Sequence, residues 1–376
     1  MTRIESPADM SARADAFVPL APDGVARFPV ERYPAPQRID YARQPAYAEL
    51  VARAPLARRL RATGRFLLSL VPLAAKRITN YEMIPNEVRM DKGSVSGMLR
   101  LAGAGLRNAF VPARRASRIE GDLARRLADD GCAVIACSAA ALAGVDGAVA
   151  PAYAKLERMR AERAGGKRDF LDSRYHADRR EETALYGAVE ELLREAGVMQ
   201  AASEYLGREA RLIDVNPQIN DPSDSFWRDV FPDRADGRLP KAAYFHRDAS
   251  GGDLKAILYM SEVGPANGPF AYVLGSHRLR IGRLDNFICE ANDSNGLADT
   301  SAETRRLFAA LPRRFRQKGS FGNDLPDEDP VSDEIVGAAW SITGPKGAIV
   351  LFDTKGVHRG GMVERGERRV ITCVLA

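Results

Sequence analysis

Two histidines far apart in the chain, the first with a carboxylate two residues on, constrain this sequence more than any other feature. His246-Arg247-Asp248 lies near the end of a strand-like run, and His358 follows more than a hundred residues later. On a β-strand, residues i and i+2 point to the same side, so His246 and Asp248 can reach one metal while Arg247 points away. His358 must then come from a distant strand folded back over the first. Two imidazoles and one carboxylate suit ferrous iron held on one face, with open positions opposite for an organic acid and oxygen. A guanidinium on the strand Arg368–Val374 can pair bidentately with a carboxylate. Arg368 and Arg369 both qualify, and on a strand they face opposite sides.

Several blocks in chain order carry a family resemblance. They are Tyr244-Phe245-His246-Arg247-Asp248, then Leu254 to Met260, then Gly268 to His277, then Gly347 to Asp353, and His358-Arg359-Gly360-Gly361 followed by Arg369. In this order and spacing the chain resembles the phytanoyl-CoA dioxygenase family of iron(II)/2-oxoglutarate oxygenases, over roughly Ile119 to Ala376. The resemblance implies an α+β protein: a double-stranded β-helix (jelly-roll, cupin-like) core with flanking helices and a helical N-terminal extension. It implies an enzyme that uses Fe(II), 2-oxoglutarate and O2 and releases succinate. Hydroxylation of a small molecule or biosynthetic intermediate is the reaction it favours, while desaturation and cyclisation use the same residues. A non-catalytic or isomerase-type jelly-roll metal-binding protein is the competing class. The family's interval from the distal histidine to the arginine selects Arg369 for the far carboxylate of 2-oxoglutarate. Many members carry a hydroxyl residue two places after the distal histidine, where this chain has Gly360.

At 376 residues and 45% hydrophobic, the chain is long enough for one large domain with an extension, and global disorder is excluded. Fifty-five cations against 50 acids give a net charge of +5, a mixed surface with no general call for a polyanionic partner. Cys132, Cys137, Cys289 and Cys373 form no CxxC pair and match no zinc or disulfide framework, so reduced thiols in a cytoplasmic protein are expected. Met1 to Pro19 has no apolar signal-like core, and the apolar stretch Phe66–Ala75 is too short to span a bilayer.

Three regions follow from composition. Residues 1–40, rich in Pro, Ala and Arg, read as an extended arm, and 41–116 as a basic helical extension with breaks near Pro55 and Pro72. Residues 117–376 read as the oxygenase domain with a lid insertion at about 278–338. Between Leu50 and Tyr81 there are seven cations and no acid; a membrane surface, an acyl carrier protein or a nucleotide-bearing substrate could meet them, but the favoured reading is a helix packing its apolar side on the barrel with its arginines in water. Ser117 is placed to cap a helix ending at Gly131, before a buried strand Cys132–Cys137. Helices are expected over Val149–Ala164, Arg180–Leu206 and Ala302–Ala310, with a turn at Gly165-Gly166-Lys167. The run Arg211–Asn220 alternates as a strand, with Leu212, Asp214, Asn216, Gln218 and Asn220 on one side, and Pro217 confines it to an edge or a bulge.

Further candidates are placed around the centre. Tyr259 and Lys255 share a strand face and are candidates for the cosubstrate, as are Asn216 and Gln218. Arg247, Arg359 and Asn220 are candidates for the substrate, and the arginines of the insertion favour an anionic one; a carrier-tethered substrate would suit the basic helix. His277 reads as a turn histidine and His176 as exposed in a charged helical segment. His246-Arg247-Asp248 also spells a kinase tripeptide, but Asp253 stands where the magnesium-binding Asn is required. No nucleic-acid module is visible. Oligomeric state is not legible.

Overall fold

The computed structural model describes residues 53–91, 93–109, 119–162, 173–222, 241–248, 253–279, 281–294, 302–316 and 327–376. The arm at 1–40, the Ser117 cap, the 165–167 turn and the 319–326 part of the insertion lie outside them.

Two antiparallel sheets hold the core. The larger has five strands, in the order β1 (Cys132–Ala136), β6 (Ala348–Asp353), β3 (Leu254–Tyr259), β8 (Arg368–Leu375) and β2 (Leu212–Asn220). The smaller has β5 (Ala339–Ile342), β4 (Phe270–Val273) and β7 (His358–Arg359), and His246 bridges onto His358 beyond β7. Sequence explains the layering. β6 reads Ala-Ile-Val-Leu-Phe-Asp and is buried along its whole length, as a strand covered on both faces requires. β8 alternates: Val370 packs between the sheets, while Ile371, Cys373 and Leu375 join the apolar layer beneath the helices.

β2 lies at the sheet's edge and accommodates Pro217, whose carbonyl accepts from the Tyr175 amide of a covering segment. The expected alternation holds from Asp214 onward. Leu212 departs from it, because a register shift between Leu212 and Asp214 turns Leu212 into the helix-side core.

Helices cover the outer face of the larger sheet: α4 (Asp122–Asp130), α5 (Ala139–Glu162), α6 (Thr183–Glu195) and α7 (Val198–Leu206). Gly131 ends α4 with φ +80, its N–H bonded to the Leu127 carbonyl, and β1 begins at once. α5 starts ten residues before its expected position and carries Pro151 within it. The single helix expected at 180–206 is two, divided by Gly197 at φ +74.

The N-terminal extension differs most from expectation. α1 (Leu56–Ile78) runs through Pro72 without a break. The carbonyl that Pro72 frees belongs to Leu68, on the solvent side, where water can satisfy it. Its buried residues Ala62, Phe66 and Leu73 pack on the insertion, not on the sheets. There α8 (Arg283–Ser294) and α9 (Ala302–Ala310) supply Ile288, Ala291 and Phe308, Phe66 stacks on Phe315 at 5.0 Å, and Arg77 forks onto Glu290 at 2.6 Å on both oxygens. Two short helices follow α1, α2 (Asn86–Met90) and α3 (Val95–Ala109), and α10 (Pro330–Ala338) leads into β5.

Candidate metal centre

The inner face of the larger sheet is polar at one edge and apolar at the other. The register aligns Asp214, Val374, Lys255, Phe352 and Cys132 in one row across the strands, and Asn216, Thr372, Ile257, Val350 and Val134 in the next. Gln218, Val370 and Tyr259 form a third, and Asn220 pairs with Arg368 beyond it. Gln218 Nε2 donates to Thr372 Oγ1 at 2.9 Å. Polar side chains therefore collect on β2 and β8, beside the histidines carried by the smaller sheet.

His246, Asp248 and His358 meet there, each offering one ligand atom within 4.8 Å of the others. Each ligand is also held by the atom it does not offer. His246 Nδ1 lies 2.8 Å from the Tyr244 carbonyl, and His358 Nδ1 lies 2.8 Å from the Gly356 carbonyl. A carbonyl accepts only, so both Nδ1 atoms carry the proton and both Nε2 lone pairs face the third ligand. Lys255 Nζ donates to Asp248 Oδ2 at 2.6 Å, leaving Oδ1 at 3.7 Å from His246 Nε2 and 3.9 Å from His358 Nε2.

Electrostatics keep the triad in its ligating form. Burial lowers the pKa of both imidazoles, for His358 to about 3 with the neighbouring His246 contributing, so both are neutral near pH 7. Burial opposes ionisation of Asp248, but Lys255 and then the two histidines outweigh it and hold the carboxyl below its ordinary range.

The backbone around the triad is fixed at some cost. Tyr244 has φ +63, left-handed backbone that non-glycine residues seldom adopt, and its carbonyl is the one that orients His246. The turn before His358 is tied at several points. Tyr205 Oη donates to Asp353 Oδ2 at 2.5 Å, Tyr272 Oη donates to the Asp353 carbonyl at 3.0 Å, and the Asp248 amide donates to the Thr354 carbonyl at 3.0 Å. A side chain at Gly356 would overlap the Tyr272 hydroxyl, so only glycine fits.

Arg368, not Arg369, faces inward. Arg368 shares the face of Val370 and Thr372 and is buried. Its Nε has no hydrogen-bond partner, and its only hydrogen bond among the described residues is a long one, 3.4 Å, to the Gly361 carbonyl. Burial lowers its pKa, opposed by the nearby Tyr259. Arg369 lies on the outer face, donates to Glu367 at 2.6 Å and Glu157 at 2.8 Å, and sits over the Tyr153 ring. Alternation along β8 puts the tenth residue after His358, not the eleventh, on the inner face, so Arg369, the arginine expected at the cosubstrate, is turned outward.

The other candidates divide. Asn216, Gln218 and Asn220 line the inner face, where Asn216 Oδ1 and Asn220 Nδ2 are buried without hydrogen-bond partners. Lys255 is engaged with Asp248 instead of standing as a spare cation. Tyr259 is a core residue whose hydroxyl donates to the Ile342 carbonyl at 2.7 Å. Arg247 turns away from the triad and donates to the Lys355 carbonyl. Arg359 secures the Lys241 and Ala243 carbonyls and lies over Phe245; burial pushes its pKa down to about 10. His277 is a turn residue, 3.1 Å from the Ala128 carbonyl. His176 is exposed as expected, but it lies in an extended segment beside Asn216 instead of in a helix.

Two contributors escaped the sequence reading. Arg174 bridges onto Gln218 at the free edge of β2 and lies within electrostatic reach of Tyr244 and Asp248. Arg89 of α2 pairs with Asp214 at 2.6 Å, so the N-terminal extension reaches the polar edge of the site. Neither stands in a pattern of its own; only β2's unusual run of buried polar residues hints that partners must come from elsewhere.

No family model matches the chain, and no curated protein matches it. Several solved structures are distantly similar. AviO1 from Streptomyces viridochromogenes Tue57 is 16% identical, with 69% of this chain and 96% of that one covered at a TM-score of 0.36. EctD from S. alaskensis, solved with 2-oxoglutarate and 5-hydroxyectoine, is 17% identical, with 71% and 80% covered at 0.41. SnoK, a non-heme alpha-ketoglutarate-dependent carbocyclase from nogalamycin biosynthesis, is 14% identical, with 70% and 87% covered at 0.38. At this distance the likeness carries no residue roles, and the centre is understood from its own side chains.

Proposed function

We propose that this chain is an iron(II)- and 2-oxoglutarate-dependent oxygenase acting on a small molecule, with hydroxylation as its reaction. The observation that carries the reading is the triad itself. Two neutral imidazoles and one ionised carboxylate converge within 4.8 Å, and the remaining polar atom of each is held by a carbonyl or an ammonium. That donor set fits a divalent first-row metal, and three ligands on one side leave positions for exchangeable ligands. Iron held there supplies the redox and oxygen chemistry. The chain's own residues do the rest. Lys255 holds one oxygen of Asp248 and leaves the other to the metal.

A buried guanidinium without an anion is costly, which supports Arg368 as the anchor for the far carboxylate of 2-oxoglutarate, with the Asn220 amide opposite it in the register. This takes over the role expected of Arg369. Apart from β5, which pairs with β4 in the smaller sheet, the strands from β2 through His246 to β8 alternate between the two sheets, which supports a double-stranded β-helix. The arginines of the insertion favour a substrate with an anionic group. The insertion acts as the lid, carried by α1.

Anaerobic addition of iron(II) and 2-oxoglutarate to the purified protein tests the reading. A weak visible charge-transfer band is expected, absent in His246→Ala, and oxygen uptake should accompany succinate formation. A wild-type protein that binds iron but shows neither band nor succinate returns the chain to the non-catalytic class.

A further inference from the structure

α1 presents three faces, and the fold uses one of them. Ala62, Phe66 and Leu73 are buried against α8 and α9. Arg58, Arg61, Arg65 and Lys76 form a second, cationic face. On the third, Leu56, Leu60, Leu67, Val71 and Ile78 recur at intervals of four and seven residues, a single helical stripe, with Leu68 beside it. That stripe is open to solvent: Leu68 is 76% exposed, Leu56 72% and Val71 71%. α3 repeats the pattern with exposed Val95, Leu99 and Leu106. The two helices meet at their C-terminal ends, where Asn80 Nδ2 donates to the Asn108 carbonyl at 2.8 Å and Gly105 packs on Thr79.

We propose that this surface, α1 with α3, docks in the plane of an anionic lipid membrane. An apolar stripe of this length is unusual on a soluble surface and calls for cover. Charge decides what covers it. Neither helix contains a single acid, and cations flank the stripe of α1. A second copy docking on the same face would bring cation against cation. Anionic headgroups would instead meet the arginines while the leucines enter the acyl boundary, the arrangement of an interfacial amphipathic helix. No described helix is long and apolar enough to cross a membrane, and the proposal is of helices lying in the plane of the interface. The proposal does not depend on the metal centre.

The test uses the full chain and phosphatidylcholine vesicles with or without phosphatidylglycerol. Co-sedimentation is expected with the anionic vesicles and weakened by salt. The double variant Leu68→Glu/Val71→Glu should reduce partitioning by at least about tenfold, the worth of one buried aliphatic side chain. Both positions face solvent, so melting temperature and cobalt binding should match wild type, which separates lost docking from lost folding. Arg61→Gln/Arg65→Gln should lower binding by about fivefold per charge and flatten the salt dependence. Wild type that stays in the supernatant with anionic vesicles overturns the proposal. So does a light-scattering result in which the glutamate variant dissociates an oligomer while vesicle binding is unchanged.

Discussion

The metal centre and the helical annex of α1, α8 and α9 are built by opposite means. At the centre each of the three ligands is held through its second polar atom by a backbone carbonyl or a neighbouring charge, and even a left-handed tyrosine is retained to aim one carbonyl. The annex is held by apolar contacts around Phe66 and Phe308 and by the Arg77–Glu290 fork, with much of its leucine surface left open. Hydrogen-bond geometry tolerates little displacement, so the centre gains position at the cost of strain. Apolar packing is less directional, so the annex is specified by buried volume where the centre is specified by hydrogen-bond geometry.

Substitutions should separate the two regions cleanly. The largest effect is expected from His246→Ala, which removes one of three ligands. Cobalt or iron affinity should fall by more than about a hundredfold, beyond the roughly 10–100-fold loss typical of an outer partner. Calorimetric titration reads this, and hydrogen exchange in 283–294 should not change. Phe66→Ala is the reverse experiment. It empties a buried ring site stacked on Phe315 and should cost about 3–5 kcal/mol of local stability. Exchange in α8 and α9 should then accelerate while metal affinity stays within a factor of about two. A loss of metal binding in Phe66→Ala would show that the two regions are one cooperative unit.

Legibility in the sequence followed the same division. The triad could be read because its spacing is local at His246 and Asp248 and because ligand chemistry restricts residue type. β1, β2 and α9 were readable from alternation, burial pattern and periodicity. Choosing between Arg368 and Arg369 was harder: neighbours on a strand differ only in the face they take, and pairing register sets that face. The destination of α1 was not legible. Its apolar residues fit a barrel or an insertion equally well, and only tertiary packing shows that Phe66 meets Phe315. Arg89 reaching Asp214 was hidden for the same reason, since ion pairs between distant segments leave no local pattern.

The two arginines of β8 sharpen the comparison between a buried functional side chain and an exposed structural one. Arg368→Met should weaken 2-oxoglutarate binding by roughly 10–100-fold, the worth of a charge-assisted hydrogen-bonded pair. Arg369→Met removes partly exposed ion pairs to Glu157 and Glu367 and should change that affinity less than about twofold. Titration of the visible band against 2-oxoglutarate measures both. Equal losses would restore Arg369 to the site.

The smallest and most specific effect is that of acid on the metal-free chain. His358 is buried and its pKa is depressed from 6.5 to about 3. Between these values the unfolded chain binds a proton that the folded chain refuses. Stability is therefore fully present above about pH 6.5 and is lost as pH falls toward 3. Asp248, held below its ordinary range, adds a loss at the acid end of the same window. Substituting Gln for His358 removes the proton-refusing imidazole while keeping a polar side chain. Chemical denaturation of the apo protein at pH 7 and pH 4.5 should then show a smaller acid penalty in His358→Gln than in wild type. The annex has no buried histidine among its described residues, so exchange in α8 should not follow this titration. If the acid penalty is the same in both proteins, His358 is not held neutral by burial.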